Sequence, residues 1–201
     1  MKDMEDKKIL ITAIQNRNFD EVVRIVNRNP KLVNCTANKL PKKDAGQSPL
    51  QIAIKTDNLD IAEFLINQGA NVNFMEDKTV AEAPLPVLHD CIRRSVFRSI
   101  FKEKAYYDEG LNLLKLMLSK GANSKMIDIH GNNVLHRLIL DIRQIVTYPD
   151  FNEMEKVTIE RIHEIFRILI DAGADVTEST DTRENAVDFA KKFGLEKYGL
   201  F

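Results

Sequence analysis

The sequence predicts an all-α protein, an α-solenoid of about four to five helix-turn-helix repeats, and three observations carry the prediction. A small-residue turn recurs as INQGANVN at 66–73, LSKGANSK at 118–125 and IDAGADVT at 170–177. Upstream of each turn the apolar residues fall into matching columns: Ile61, Leu113 and Ile165 share one, and Leu65, Met117 and Leu169 another. A second apolar segment precedes each of these, in SPLQIAI (48–54), PVLHDCI (86–92) and NVLHRLI (133–139). Such repetition outranks local propensity, because one helix pair cannot bury its apolar face alone and neighbours must stack to cover it.

In chain order, residues 9–34 form an opening helix pair without a hairpin start of their own. Ser48-Pro49 then opens a first helix, and the following second helix ends at Gly69. Gly121 and Gly173 end the later ones, since glycine takes the left-handed position beyond a helix without steric cost. RENAVDFAKKFG (183–194) reads as the first helix of a closing repeat. Ser48-Pro49-Leu50 with Ala53, and Gly69-Ala70-Asn71-Val72-Asn73, resemble the ankyrin repeat, a unit of ~33 residues with a β-turn, two helices and a T-P-L-H-x-A signature. Asp44-Ala45-Gly46 and Asp128-Ile129-His130-Gly131 supply opening turns, whereas Arg183 stands where the family usually has glycine. The resemblance covers nearly the whole chain. It implies a single domain over 1–201 with repeats near 5–35, 43–75, 81–127 and 128–179, a cap at 180–201, and β-hairpin loops between them.

Two repeats are longer than the family unit. Leu50 to Gly69 spans 19 residues, Leu88 to Gly121 spans 33, and Leu135 to Gly173 spans 38. Repeats three and four therefore carry helical insertions of 14 and 19 residues between their helices, on the edge opposite the hairpins. Ile92, Val96, Phe97, Ile100 and Phe101 prolong one first helix. Leu138, Ile139, Ile142, Ile145 and Val146 prolong the other, until Pro149 stops it and Asp150 caps the next. The expectation is that the two elongated pairs lean together into a satellite core. If they do not, Phe97, Phe101, Tyr106, Tyr107 and Tyr148 make an exposed apolar patch that marks a binding site. Residues 93–104 carry a net charge of +4, and 141–164 a net of −3. Arg94, Arg98 and Lys102, four apart, share a helix face. That face either pairs with the acidic neighbour or receives an acidic partner.

Composition narrows the function. The 29 Lys+Arg against 30 Asp+Glu leave a net charge of −1, which argues against a general nucleic-acid binder. No apolar run approaches the ~20 residues of a membrane span, and the charged MKDMEDKK start has no secretory pattern. Cys35 and Cys91 are too few for a disulfide framework, so a reducing, cytoplasmic compartment is expected. Cys91 falls on a core position and Cys35 half outside. His89 and His136 hold the place of the signature histidine, whose role in the resemblance is to tie down hairpin backbone. No phosphate loop or H-E-x-x-H pair is present. Neither catalysis, a cofactor nor a metal site is expected.

The resemblance implies a non-catalytic protein-binding scaffold, monomeric, meeting an unidentified partner protein through hairpin tips, the concave helix face or the insertions. The candidate contact residues are Asp44, Gln47, Lys55, Thr56, Phe74, Met75, Asp77, Lys78, Arg93, Arg94, Arg98, Lys102, Ile129, His130 and Asn132. The alternative is nucleic-acid or acidic-ligand binding through the basic stripe of the first insertion.

Overall fold

A computed structural model describes residues 2–37, 44–77, 80, 81 and 84–201. Its regular elements are helical, and the chain divides into two compact units, Met1–Asp90 and Cys91–Phe201. Lys78 lies outside the described residues. None of the described helices is long and apolar enough to cross a membrane.

The first unit holds α1 (Lys2–Gln15), α2 (Phe19–Arg28), α3 (Pro49–Lys55) and α4 (Leu59–Asn67). The turns within its two pairs are equivalent. Arg17 (φ +56°) and Asp57 (φ +60°) each take the left-handed region, and the next residue's N–H returns to the helix: Asn18 to the Ala13 carbonyl, Asn58 to the Ala53 carbonyl, both 2.9 Å. Asn58 also donates its side-chain amide to the Ile14 carbonyl across the pairs (2.7 Å). Leu10, Ile14, Val22, Ile25, Leu50, Ala53, Ile61 and Leu65 have no exposed surface. These are the apolar stripe positions that the repeat pattern assigns inward.

α5 (Val87–Arg98) runs from the first unit into the second, which continues with α6 (Lys104–Ser119), α7 (Val134–Ile145), α8 (Pro149–Asp171) and α9 (Ala186–Lys192). Three helices end in the same way. Gly69, Gly121 and Gly173 have φ between +87° and +91°. Each glycine N–H returns to the carbonyl three residues back, and the following alanine N–H to the carbonyl five back. That is the Schellman pattern, which satisfies carbonyls otherwise orphaned at a helix end.

The insertions are helical and cover one another. Phe97 packs edge-on against Tyr148, with centroids 6.0 Å apart. Tyr107 is buried, and its hydroxyl faces the Arg161 carbonyl (2.9 Å) and the Glu164 carboxylate (3.1 Å). Burial, reinforced by that carboxylate, holds the Tyr107 phenol well above its usual pKa. Arg161 donates to the carbonyls of Ser99 (2.8 Å) and Phe101 (2.6 Å), just beyond the end of α5. There a guanidinium suits the negative end of the helix dipole. Phe101 keeps 45% of its surface exposed, but Tyr107 has lost nearly all of its own.

Two expectations change. Pro149 does not merely stop a helix: it is the first residue of α8, and Tyr148 rather than Asp150 is the N-cap. A proline without N–H costs nothing at a position whose N–H would have no helical partner. The loops are also not stranded hairpins. Among the described residues only isolated bridges join Met75 to Pro86 and Thr180 to Arg183. Side chains hold part of the loop backbone: Asn34 donates to the Gly69 carbonyl (3.0 Å) and accepts from the Asn71 N–H (2.7 Å).

Candidate functional site

The loops that join helix pairs are built around buried polar side chains. Asp128 is buried, and one of its oxygens accepts from the N–H groups of His130 (2.8 Å) and Asn132 (2.9 Å). Asn133 then caps α7, and His136 answers as the reciprocal half of the cap. The Asn133 N–H donates to His136 Nδ1 (3.3 Å), so Nε2 carries the proton that meets the Glu184 carbonyl (2.7 Å). Burial pulls the His136 pKa below its usual value, which keeps the ring in this neutral form. The role expected of the signature histidine is what His136 performs.

Several candidate contact residues belong to this scaffolding and not to the surface. Asp44, Gln47 and Asn132 are buried; Asp44 accepts from Gln15, and Asn132 donates to Asp128 and accepts from Arg183 (2.9 Å). A polar loop residue looks solvent-facing in a sequence, yet these satisfy loop backbone or neighbouring side chains. Lys55 is half-buried and bonded to Glu76 (2.8 Å), with Asp90 at 3.9 Å. Thr56 returns its hydroxyl to the Ile52 carbonyl (2.7 Å). Asp77, Ile129 and His130 are exposed. Phe74 and Met75 are half-buried and, with Lys7, Thr36, Asp77 and Val80, line a recess of about 320 Å³ in the first unit.

The basic stripe is corrected. Arg98 is 3% exposed. It donates to the Tyr106 carbonyl and to Glu109, both 2.7 Å, and stacks its guanidinium 3.7 Å from the Tyr106 ring centroid. A Cβ on Gly110 would lie 3.1 Å from its Cδ, so the missing side chain there makes room for it. α5 also ends at Arg98, which takes Lys102 off the helix face that a spacing of four assumes. Three other cations of the insertion have partners on the same unit. Arg93 reaches Asp141 (3.6 Å) and Gln144 (3.3 Å), Lys102 reaches Glu153 (3.2 Å), and Lys104 reaches Asp108. Arg94 is half-buried. Asp141, fully buried, takes both arms of Arg137 (3.0 and 2.7 Å). Burial raises its pKa against the pull of Arg137 and Arg93.

Two loop elements escape the sequence reading. Ile127 is exposed like Ile129, and Asp175, Glu178 and Asp181 are exposed on the loop after α8. Ile129 is among the expected contact residues, and the only signal for Ile127 is its place on the other side of an aspartate whose burial cannot be read from spacing.

Helix pairs that end in glycine and are joined by side-chain-pinned loops define a helical-repeat class of protein. Residues 1–76 match the family model described as "Ankyrin repeats (3 copies)". A search of curated proteins finds no match. Ankyrin repeats are generally protein–protein interaction modules and typically non-catalytic.

Proposed function

We propose that this chain is a non-catalytic protein-binding module that meets its partner through its loops and not through the insertions. One observation carries the choice: the charged and aromatic side chains of the insertions are largely committed to each other, as Arg98 with Glu109 and Tyr107 with Glu164. The loops keep apolar surface within reach, at Phe74 and Met75 beside the recess and at Ile127 and Ile129. Aromatic residues and methionine at a surface are the material of interface cores, and pre-ordered loops lose little freedom on binding. The free thiols of Cys35 and Cys91 suit a reducing compartment, and we place the module in the cytoplasm.

The test is affinity capture from nuclease-treated lysate with three baits: wild type, a loop variant (Met75→Ser/Ile129→Ser) and an insertion variant (Arg94→Glu/Lys102→Glu), all shown to melt alike. A protein held by wild type and by the insertion variant but released by the loop variant is the expected result. Release by the insertion variant alone moves the site there. Capture seen only before nuclease treatment overturns the proposal in favour of nucleic acid.

A further inference from the structure

Within Cys91–Phe201, two isoleucines face solvent from backbone that is firmly held. Ile127 and Ile129 are 45% and 51% exposed, on either side of the buried Asp128. The loop after α8 grips the one that carries them. Thr180 donates its hydroxyl to the Gly131 carbonyl (2.8 Å), Thr182 donates to the His130 carbonyl (3.0 Å), and Arg183 donates to Asn132 (2.9 Å). Gly131 sits at φ +75°, where a Cβ would come within 1.9 Å of the Thr182 hydroxyl oxygen. The exposure of the isoleucines is thus set by a pinned turn, not by slack chain.

The gripping loop also brings charge. Asp175 and Glu178 line a shallow depression together with Ile127, and Asp181 immediately precedes Thr182. All three carboxylates are exposed, and no ion pair joins any of them to a cation among the described residues. Lys125 lies at the same depression and helps to lower the Asp175 pKa, so two carboxylates face one ammonium there. Exposed isoleucines beside an excess of exposed carboxylates complement a partner of one chemistry: aliphatic or aromatic side chains over the isoleucines, with Lys or Arg beside them to meet the carboxylates.

We infer that the loop face formed by Ile127, Ile129, Asp175, Glu178 and Asp181 docks a basic, apolar segment of a partner protein. This rests on the reading of the chain as a protein-binding module and names the chemistry of its partner. The test is selection from a random dodecapeptide library with three baits: wild type, Ile127→Ser/Ile129→Ser and Glu178→Lys/Asp181→Lys. The substituted side chains are exposed, and circular dichroism checks that the baits share one fold. Wild type should enrich peptides with Arg or Lys next to Leu, Ile or aromatic residues. Those peptides should bind the serine variant about tenfold more weakly or worse, and lose affinity as salt rises. The lysine variant should select acidic peptides instead. Acidic or uncharged peptides that still need the isoleucines overturn the partner chemistry and leave the module intact. Peptides indifferent to both variants overturn this site alone. If no bait enriches any peptide, the module and the site fall together.

Discussion

His136 shows how much one side chain does in a loop-bound helix start. Its Nδ1 accepts the Asn133 N–H while Nε2 reaches the Glu184 carbonyl, an arrangement that only the neutral ring can make. Its folded pKa is depressed by burial below the ordinary 6.5. Above 6.5 both folded and unfolded chains carry it neutral, and its contribution is complete. As pH falls below 6.5 the unfolded chain takes a proton that the folded one refuses, so stability declines until the depressed folded value is passed. Melting curves between pH 7.5 and pH 5 should therefore fall more steeply for wild type than for His136→Gln, and parallel curves would contradict the assignment. Gly131 gives a second single-residue outcome. Gly131→Ala meets both a left-handed backbone and the Thr182 hydroxyl. It should cost about 1–3 kcal/mol in denaturant unfolding, part of it recovered in Gly131→Ala/Thr182→Ala.

Between elements, the insertions turn charge into packing. Arg98 closes the α5–α6 pair through Tyr106 and Glu109, and Arg161 ties α8 to the chain end of α5. Arg98→Ala removes a buried charged donor and should cost about 2–3 kcal/mol. Lys102→Ala breaks a pair whose two side chains are 74% and 63% exposed, and should stay within about 0.5 kcal/mol of wild type. Equal melting of the two variants would restore the common basic face. The contrast marks what a sequence makes legible. Apolar columns and terminal glycines are local signals, and they place the helices, the Schellman ends and the mutual cover of the insertions. The fate of a cation is not local. Arg98 is buried because Gly110 lets α6 approach and α5 stops there, and neither event is visible in a spacing of four. Asp44, Gln47 and Asn132 mislead for the same reason, since loop polarity looks alike whether it meets water or backbone. Ile129 is named from its hairpin position, but Ile127 needs Asp128 to be inside before it can be known to be outside.

At the scale of the whole chain, stability in a repeat architecture is a sum of helix-pair terms and neighbour terms. In Met1–Asp90 both kinds are present: α1 meets α2 and α3 meets α4 within pairs, while α1 meets α3 and α2 meets α4 between them. Ala53 stands where these terms converge. It has no exposed surface, it lies on α3, and its carbonyl accepts the Asn58 N–H that turns the chain into α4. Ala53→Arg forces a long cation into this space with no acid built to receive it, and a change of that kind belongs among substitutions that cost more than about 4 kcal/mol. Because the neighbour contacts run through α1 and α2 as well, amide protection should be lost over all four helices together in hydrogen exchange. Glu63→Arg, an exposed position on α4, is the control that should leave protection unchanged. Loss confined to α3 and α4 would show that the pairs do not support each other. Melting like wild type would mean that the inward face of α3 has been assigned to the wrong residues.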